Sequence, residues 1–148
     1  MTKKEMGMEY FSEGFNCAQA VMGAFAKEMD MTFAEAVKIA SPFGGGLGRM
    51  REVCGAVSGM CMVLGRLEGY NTPDPEAQKK LYATVQELSE KFRAETGSII
   101  CREILGLDKK ENDPTPEKRC DAYYKKRPCG ETVGIACEIL EKYFAEKQ

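Results

Sequence analysis

Between Pro42 and Gly69 the chain reads PFGGGLGRMREVCGAVSGMCMVLGRLEG, and this stretch restricts the fold more than any other. Its first half is a loop carrying Gly44, Gly45, Gly46 and Gly48. Its second half, from Val53 to Gly65, is of helix length and almost free of charge. Glycine costs roughly 1 kcal/mol against alanine inside a helix, so Gly55, Gly59 and Gly65 each need a reason. Gly55 and Gly59 lie four apart, with Ala56 and Ser58 beside them, which makes one helical face nearly flat. Another backbone can lie closely on such a face. The pattern predicts a central helix over 52–67, tightly packed by a neighbour, with Cys54 at its start.

The remaining chain breaks into further helices. Residues 2–15 are polar and interrupted by Gly7 and Gly14, which predicts one helical turn around 5–12. Asn16 is a good N-cap and puts Cys17 on a first turn. Cys17, Ala20, Val21, Ala24, Phe25 and Met29 then recur at spacings of three and four, the mark of an amphipathic helix. Thr32 caps the next helix, with Phe33, Ala36, Val37 and Ala40 facing inward, and Ser41-Pro42 ends it. Asp74 followed by Pro75 starts a long helix through Thr96, whose apolar stripe is Leu81, Val85, Leu88 and Phe92. Gly97 stops it. Ser98 caps a short helix over 99–105, residues 106–116 form a charged loop with two prolines, and a short segment follows over 117–126. Pro128 precedes the last helix, 129–144, with Val133, Ala136, Cys137, Leu140 and Phe144 inward. No run alternates with period two. The expected fold is all-α, a single domain over residues 1–148 in which about six helices pack around the central glycine-rich one.

Composition narrows the chemistry. The 148 residues carry a net charge of −2, which gives no electrostatic case for nucleic acid or an anionic membrane. The uncharged run is too short to span a bilayer, and no N-terminal stretch reads as an export signal. The expectation is a cytoplasmic protein with no membrane insertion. There are seven cysteines and no histidine. In a reducing cytosol that many cysteines point to metal or redox chemistry rather than a disulfide framework. Without histidine, Ser-His-Asp and Cys-His catalysis, histidine-ligated zinc and histidine-ligated haem cannot be assembled from this chain.

The helix pattern sorts the sulfurs. Cys17, Cys54, Cys101 and Cys129 each fall at or within the first turn of an expected helix. A helix start offers unpaired N–H groups and partial positive charge, which favour the thiolate that reacts and binds metal. The economical expectation is that the four starts converge on one site, with Arg49, Arg51, Arg102 and Arg127 adding positive potential. Cys54, just past the glycine loop, is the expected lead thiolate. Cys61 and Cys137 lie in helix interiors on apolar faces and read as small hydrophobes. Cys61 stands two turns from Cys54, about 10 Å along the axis, beyond disulfide reach. Cys120 lies near the charged loop and reads as exposed or ambiguous. The glycine loop has a competing reading as a phosphate cradle, but it lacks the GxxxxGK[ST] spacing and no strand precedes it.

FNCAQAV, then GGGLG, then Cys54-Gly55-Ala56-Val57-Ser58-Gly59, a cysteine before ILG, and PCGETV before the final helix form a layout that resembles the C_GCAxxG_C_C family of redox-active proteins. The family's four hallmark cysteines correspond to Cys17, Cys54, Cys101 and Cys129, with Cys120 the alternative for the fourth. The resemblance covers most of the chain and implies redox chemistry without specifying its mechanism. A weaker similarity, to a domain of certain multihaem cytochromes that also holds an iron–sulfur cluster, implies metal; the chain has no CxxCH for covalent haem.

Three functions are therefore open. The first is a thiol redox protein, a thiol oxidoreductase if it is an enzyme, in which pairs among Cys17, Cys54, Cys101 and Cys129 cycle between dithiol and disulfide. The second is a metal-binding protein in which the same four cysteines hold an iron–sulfur cluster for electron transfer, or structural zinc. The third is a helical binding module with packing cysteines. The expected partner is a redox protein or a small-molecule thiol or electron carrier, with homo-oligomerisation left open.

Overall fold

A computed structural model describes residues 1–107 and 112–147, so part of the charged loop expected over 106–116, residues 108–111, lies outside the described residues. Among the described residues the chain forms eight α-helices, a 3-10 turn at Ser41–Phe43 and one isolated antiparallel bridge, Val53 to Ile100, with no strand. The fold is all-α. The helices are α1 (Lys3–Ser12), α2 (Cys17–Ala24), α3 (Phe33–Ala40), α4 (Gly55–Glu68), α5 (Pro75–Thr96), α6 (Cys101–Ile104), α7 (Asp121–Lys126) and α8 (Cys129–Glu146).

Local chemistry sets most of the boundaries. The Asn16 side chain accepts from the Gln19 amide while Gln19 reaches back to the Asn16 amide, a reciprocal capping box that starts α2. Thr32 accepts from Glu35 to start α3, and Asp74 accepts from Glu76 and Ala77 to start α5. Gly97, at φ 91°, ends α5 in the left-handed conformation that glycine adopts at no steric cost. α1 is longer than the single turn expected. Thr2 and Glu5 form a capping box at its start, and Gly7 is a contact rather than a break. A Cβ there would lie 2.7 Å from the Cys137 sulfur and 2.9 Å from Val133, so α1 and α8 cross at close range.

α2 is buried along nearly its whole length and packs against α1, α3, α4 and α8. Its contact with α4 uses the flat face. A Cβ on Gly55 would meet the Ala18 amide at 3.2 Å, and one on Gly59 would meet Val21 at 2.9 Å and the Ala18 carbonyl at 3.0 Å. Gly65 has open space around it, and nothing in its surroundings accounts for a glycine there. Below this pair, Leu88 and Phe92 of α5 and Leu140 of α8 are fully buried, each worth about 1.5–3 kcal/mol relative to exposure.

Two boundaries depart from the sequence pattern for one reason. α4 starts at Gly55 rather than 52, and α6 at Cys101 rather than 99. The segments before the two helices are bonded to each other: Val53 and Ile100 form a bridge, the Cys54 amide donates to Ile99 at 2.8 Å and the Cys101 amide to Glu52 at 2.6 Å. Ser98 accordingly caps no helix; its hydroxyl accepts from Ile100 and donates to Glu103. No helix among the described residues is long and apolar enough to cross a membrane.

Candidate redox site

That short ladder is what makes a site from dispersed residues. It sets Cys54, the residue capping α4, beside Cys101, the first residue of α6. Cys17 opens α2 and Cys129 opens α8. All four line a single cavity of about 360 Å³, together with the glycine loop.

The loop closes one wall. Gly45, Gly46, Leu47, Gly48 and Arg49 follow one another with φ of 65°, 74°, 71°, 55° and 66°, and Arg51 is again positive at 62°. For a residue with a Cβ this conformation costs about 1–2 kcal/mol, so the two arginines and Leu47 are held there by their surroundings. Hydrogen bonds do the holding: the Arg51 amide donates to Gly45 at 3.0 Å and the Glu52 amide to Gly46 at 2.8 Å. Gly46 lies directly on Cys101, where a Cβ would come within 2.6 Å of the cysteine's own. The other end of the loop rests on the start of α2, where the Asn16 amide group donates to Ser41 at 3.0 Å.

The four thiols do not share one electrostatic environment. Cys54 is 5% exposed, and burial pushes its thiol up to about 12. The Ala56 and Val57 amides at the helix start pull the other way, as a helix N-terminus should, but removal from water outweighs them. The expected lead thiolate is therefore corrected: Cys54 is held protonated. Burial also raises Cys101, partly offset by the Arg51 guanidinium, which donates to its sulfur at 3.7 Å. Cys17 and Cys129 act as a pair. Interaction between the two side chains lowers Cys129 to about 7 and raises Cys17 well above its ordinary value. Arg127, Arg51 and Arg119 reinforce the Cys129 thiolate against burial. The pair therefore titrates as a unit.

The remaining sulfurs lie elsewhere. Cys137 is fully buried against α1 and pushed up to about 12 by burial. Cys61 is half-buried against the core, and Cys120 is exposed at the start of α7. All seven thiols are free. Of the arginines singled out in the sequence, Arg49, Arg51 and Arg127 line the cavity, whereas Arg102 pairs with Glu52 at 3.2 Å. Sequence reasoning missed Arg119. Its guanidinium lies 4.2 Å from the Phe11 ring centroid and 4.9 Å from that of Tyr123, and it donates to the carbonyls of Phe11 and Phe15. Those partners at the end of α1 are over a hundred positions away, and no local pattern announces them.

Among the described residues no three cysteine, aspartate or glutamate side chains converge as ligands to one ion. The four sulfurs share a cavity without forming a ready-made ligand set.

A family model described as "Putative redox-active protein (C_GCAxxG_C_C)" matches residues 15–143, from the cap of α2 to near the end of α8. No curated protein and no solved structure matches the chain.

Proposed function

Because this chain belongs to the C_GCAxxG_C_C family, we propose that it is a thiol–disulfide redox protein whose working pair is Cys17 and Cys129. One observation carries the reading: Cys17 and Cys129 line one cavity and interact through their side chains, with the Cys129 thiol lowered to about 7. An attacking thiol works best with a pKa near the ambient pH, because thiolate fraction and intrinsic nucleophilicity are then balanced.

The cycle follows from the pair. The Cys129 thiolate attacks one sulfur of a disulfide substrate; a mixed disulfide forms, the substrate S–S bond breaks, and one thiolate leaves with the bonding electrons. Cys17 is raised chiefly by its interaction with Cys129, and that cause disappears once Cys129 is no longer a thiolate. Cys17 then gives up its proton to the medium and attacks Cys129, releasing the second substrate thiolate. Two electrons have passed from the cysteine pair to the substrate, and the pair is left as a disulfide. The reverse sequence oxidises a dithiol. Cys54 and Cys101 line the same cavity as two further thiols, both raised by burial.

The test is the rate of alkylation by iodoacetamide across pH 5–10, read at each cysteine by mass spectrometry on the reduced, metal-free protein. Because the Cys129 pKa is lowered, its thiolate persists down to about pH 7, and its rate should rise through a midpoint there. Cys54 should stay slow until far higher pH. A Cys129 midpoint at or above that of exposed Cys120 defeats the assignment.

A further inference from the structure

The glycine loop takes no part in the thiol exchange, yet it forms part of the same cavity. Its amides divide into two groups. Those of residues 47–52 all donate within the loop and its surroundings. Those of Gly45 and Gly46 make no hydrogen bond among the described residues, although Gly46 is buried and both glycines line the cavity. Buried N–H groups are almost always satisfied, by protein, water or ligand.

The cavity lining is also cationic. The Arg127 side chain is only 7% exposed and is fixed by Glu117 at 2.7 Å. Arg119 makes its contacts with carbonyl oxygens, the Tyr124 hydroxyl and ring faces, and no carboxylate among the described residues meets its charge directly. Arg49 and Arg51 also line the cavity, and among the described residues Glu117 is the one acidic side chain lining it. Size adds a limit. Cys17, Cys54 and Cys101 are at most 8% exposed, so a partner reaches the sulfurs by entering a space of about 360 Å³, within the range of small-molecule sites.

From these three observations we propose that the cavity takes a low-molecular-weight thiol or disulfide bearing a carboxylate, with the anion drawn to the Gly45 and Gly46 amides and the arginines and its sulfur presented to Cys129. Amides and guanidiniums around an anion are a recurrent recognition device. The proposal rests on the Cys17–Cys129 dithiol reading and supplies its substrate class.

Two alkylating agents with the same reactive carbon and different charge isolate the effect. The reduced protein is treated at pH 7 and low salt with iodoacetate or with iodoacetamide, and the rate ratio at Cys129 is divided by the same ratio at exposed Cys120, which corrects for intrinsic reactivity. The expected quotient favours iodoacetate at Cys129 at least tenfold, and shrinks as salt screens the charges. Arg119→Gln should lower it; if that variant fails to fold, the wild-type quotient decides alone. A quotient of one or less overturns the anion site. A Cys129 midpoint near pH 7 with a quotient of one keeps the dithiol and removes the anion preference, whereas a tenfold quotient with a midpoint at or above that of Cys120 does the reverse.

Discussion

Cys17→Ala should move the Cys129 alkylation midpoint upward by at least about 1.5 pH units, to the ordinary thiol value of about 8.5 or beyond. Interaction with Cys17 is the largest cause of the low Cys129 pKa, and burial, which pushes the other way, remains after the substitution. At pH 7 the thiolate fraction would fall from about half to about 3%. The more basic thiolate that remains is intrinsically more nucleophilic, by roughly fivefold for such a shift, so the observed rate at pH 7 should drop about threefold while the midpoint moves fully. The midpoint is therefore the better readout. Cys137→Ala is the matched control, since Cys137 lies against α1 outside the cavity, and its profile at Cys129 should be that of the wild type. An unmoved midpoint in Cys17→Ala would mean that the arginines alone hold the Cys129 thiolate.

Gly46→Ala should be the most destabilising single substitution in the glycine loop. An alanine there would carry φ of 74°, and its Cβ would meet the Cys101 Cβ at 2.6 Å, the Glu52 amide nitrogen at 2.6 Å and the Arg51 Cα at 2.7 Å. Two of those neighbours are backbone and cannot swing aside. The left-handed conformation costs about 1–2 kcal/mol and the overlap about 1–3 kcal/mol more. For a domain of this size a loss of that order lowers Tm by about 5–15 °C. Gly48→Ala separates the two contributions, because Gly48 has φ of 55° and nothing within 4 Å of its would-be Cβ, leaving only the backbone cost. Thermal melts should rank wild type, Gly48→Ala, Gly46→Ala in falling order. Equal melts for the two variants would contradict the packing of the loop on Cys101.

What could be read from the residues alone follows the range of the interaction. Asn16, Thr32, Asp74 and Gly97 act on amides and carbonyls within one turn, and the elements they delimit stand where their chemistry puts them. The flat Gly55/Gly59 face was legible for the same reason, since periodicity alone places both on one side. Gly7 was misread because its purpose is a sulfur on the last helix. The late starts of α4 and α6 come from amide bonds between segments nearly fifty residues apart. The grouping of Cys17, Cys54, Cys101 and Cys129 around one cavity was visible as four helix starts. Their ranking was not. The N-terminal amides that favour a Cys54 thiolate are local, whereas the desolvation that overrules them and the Cys17 interaction that favours Cys129 are tertiary. Arg119 and Tyr123 reach the cavity through contacts with Phe11 on α1 and had no sequence signal.

If Cys17 and Cys129 form the working dithiol, the first disulfide to form joins them. Fully reduced protein is given one equivalent of a two-electron disulfide oxidant, quenched in acid, digested and mapped by mass spectrometry for cross-linked cysteine peptides. Cys17 and Cys129 already line one cavity and interact through their side chains, so local approach alone brings them to an S–S bond. The Cys17–Cys129 peptide pair should therefore dominate, with Cys61 and Cys137 still reduced. A first disulfide joining Cys54 to Cys101, or any product in which Cys17 and Cys129 both remain thiols, would contradict it.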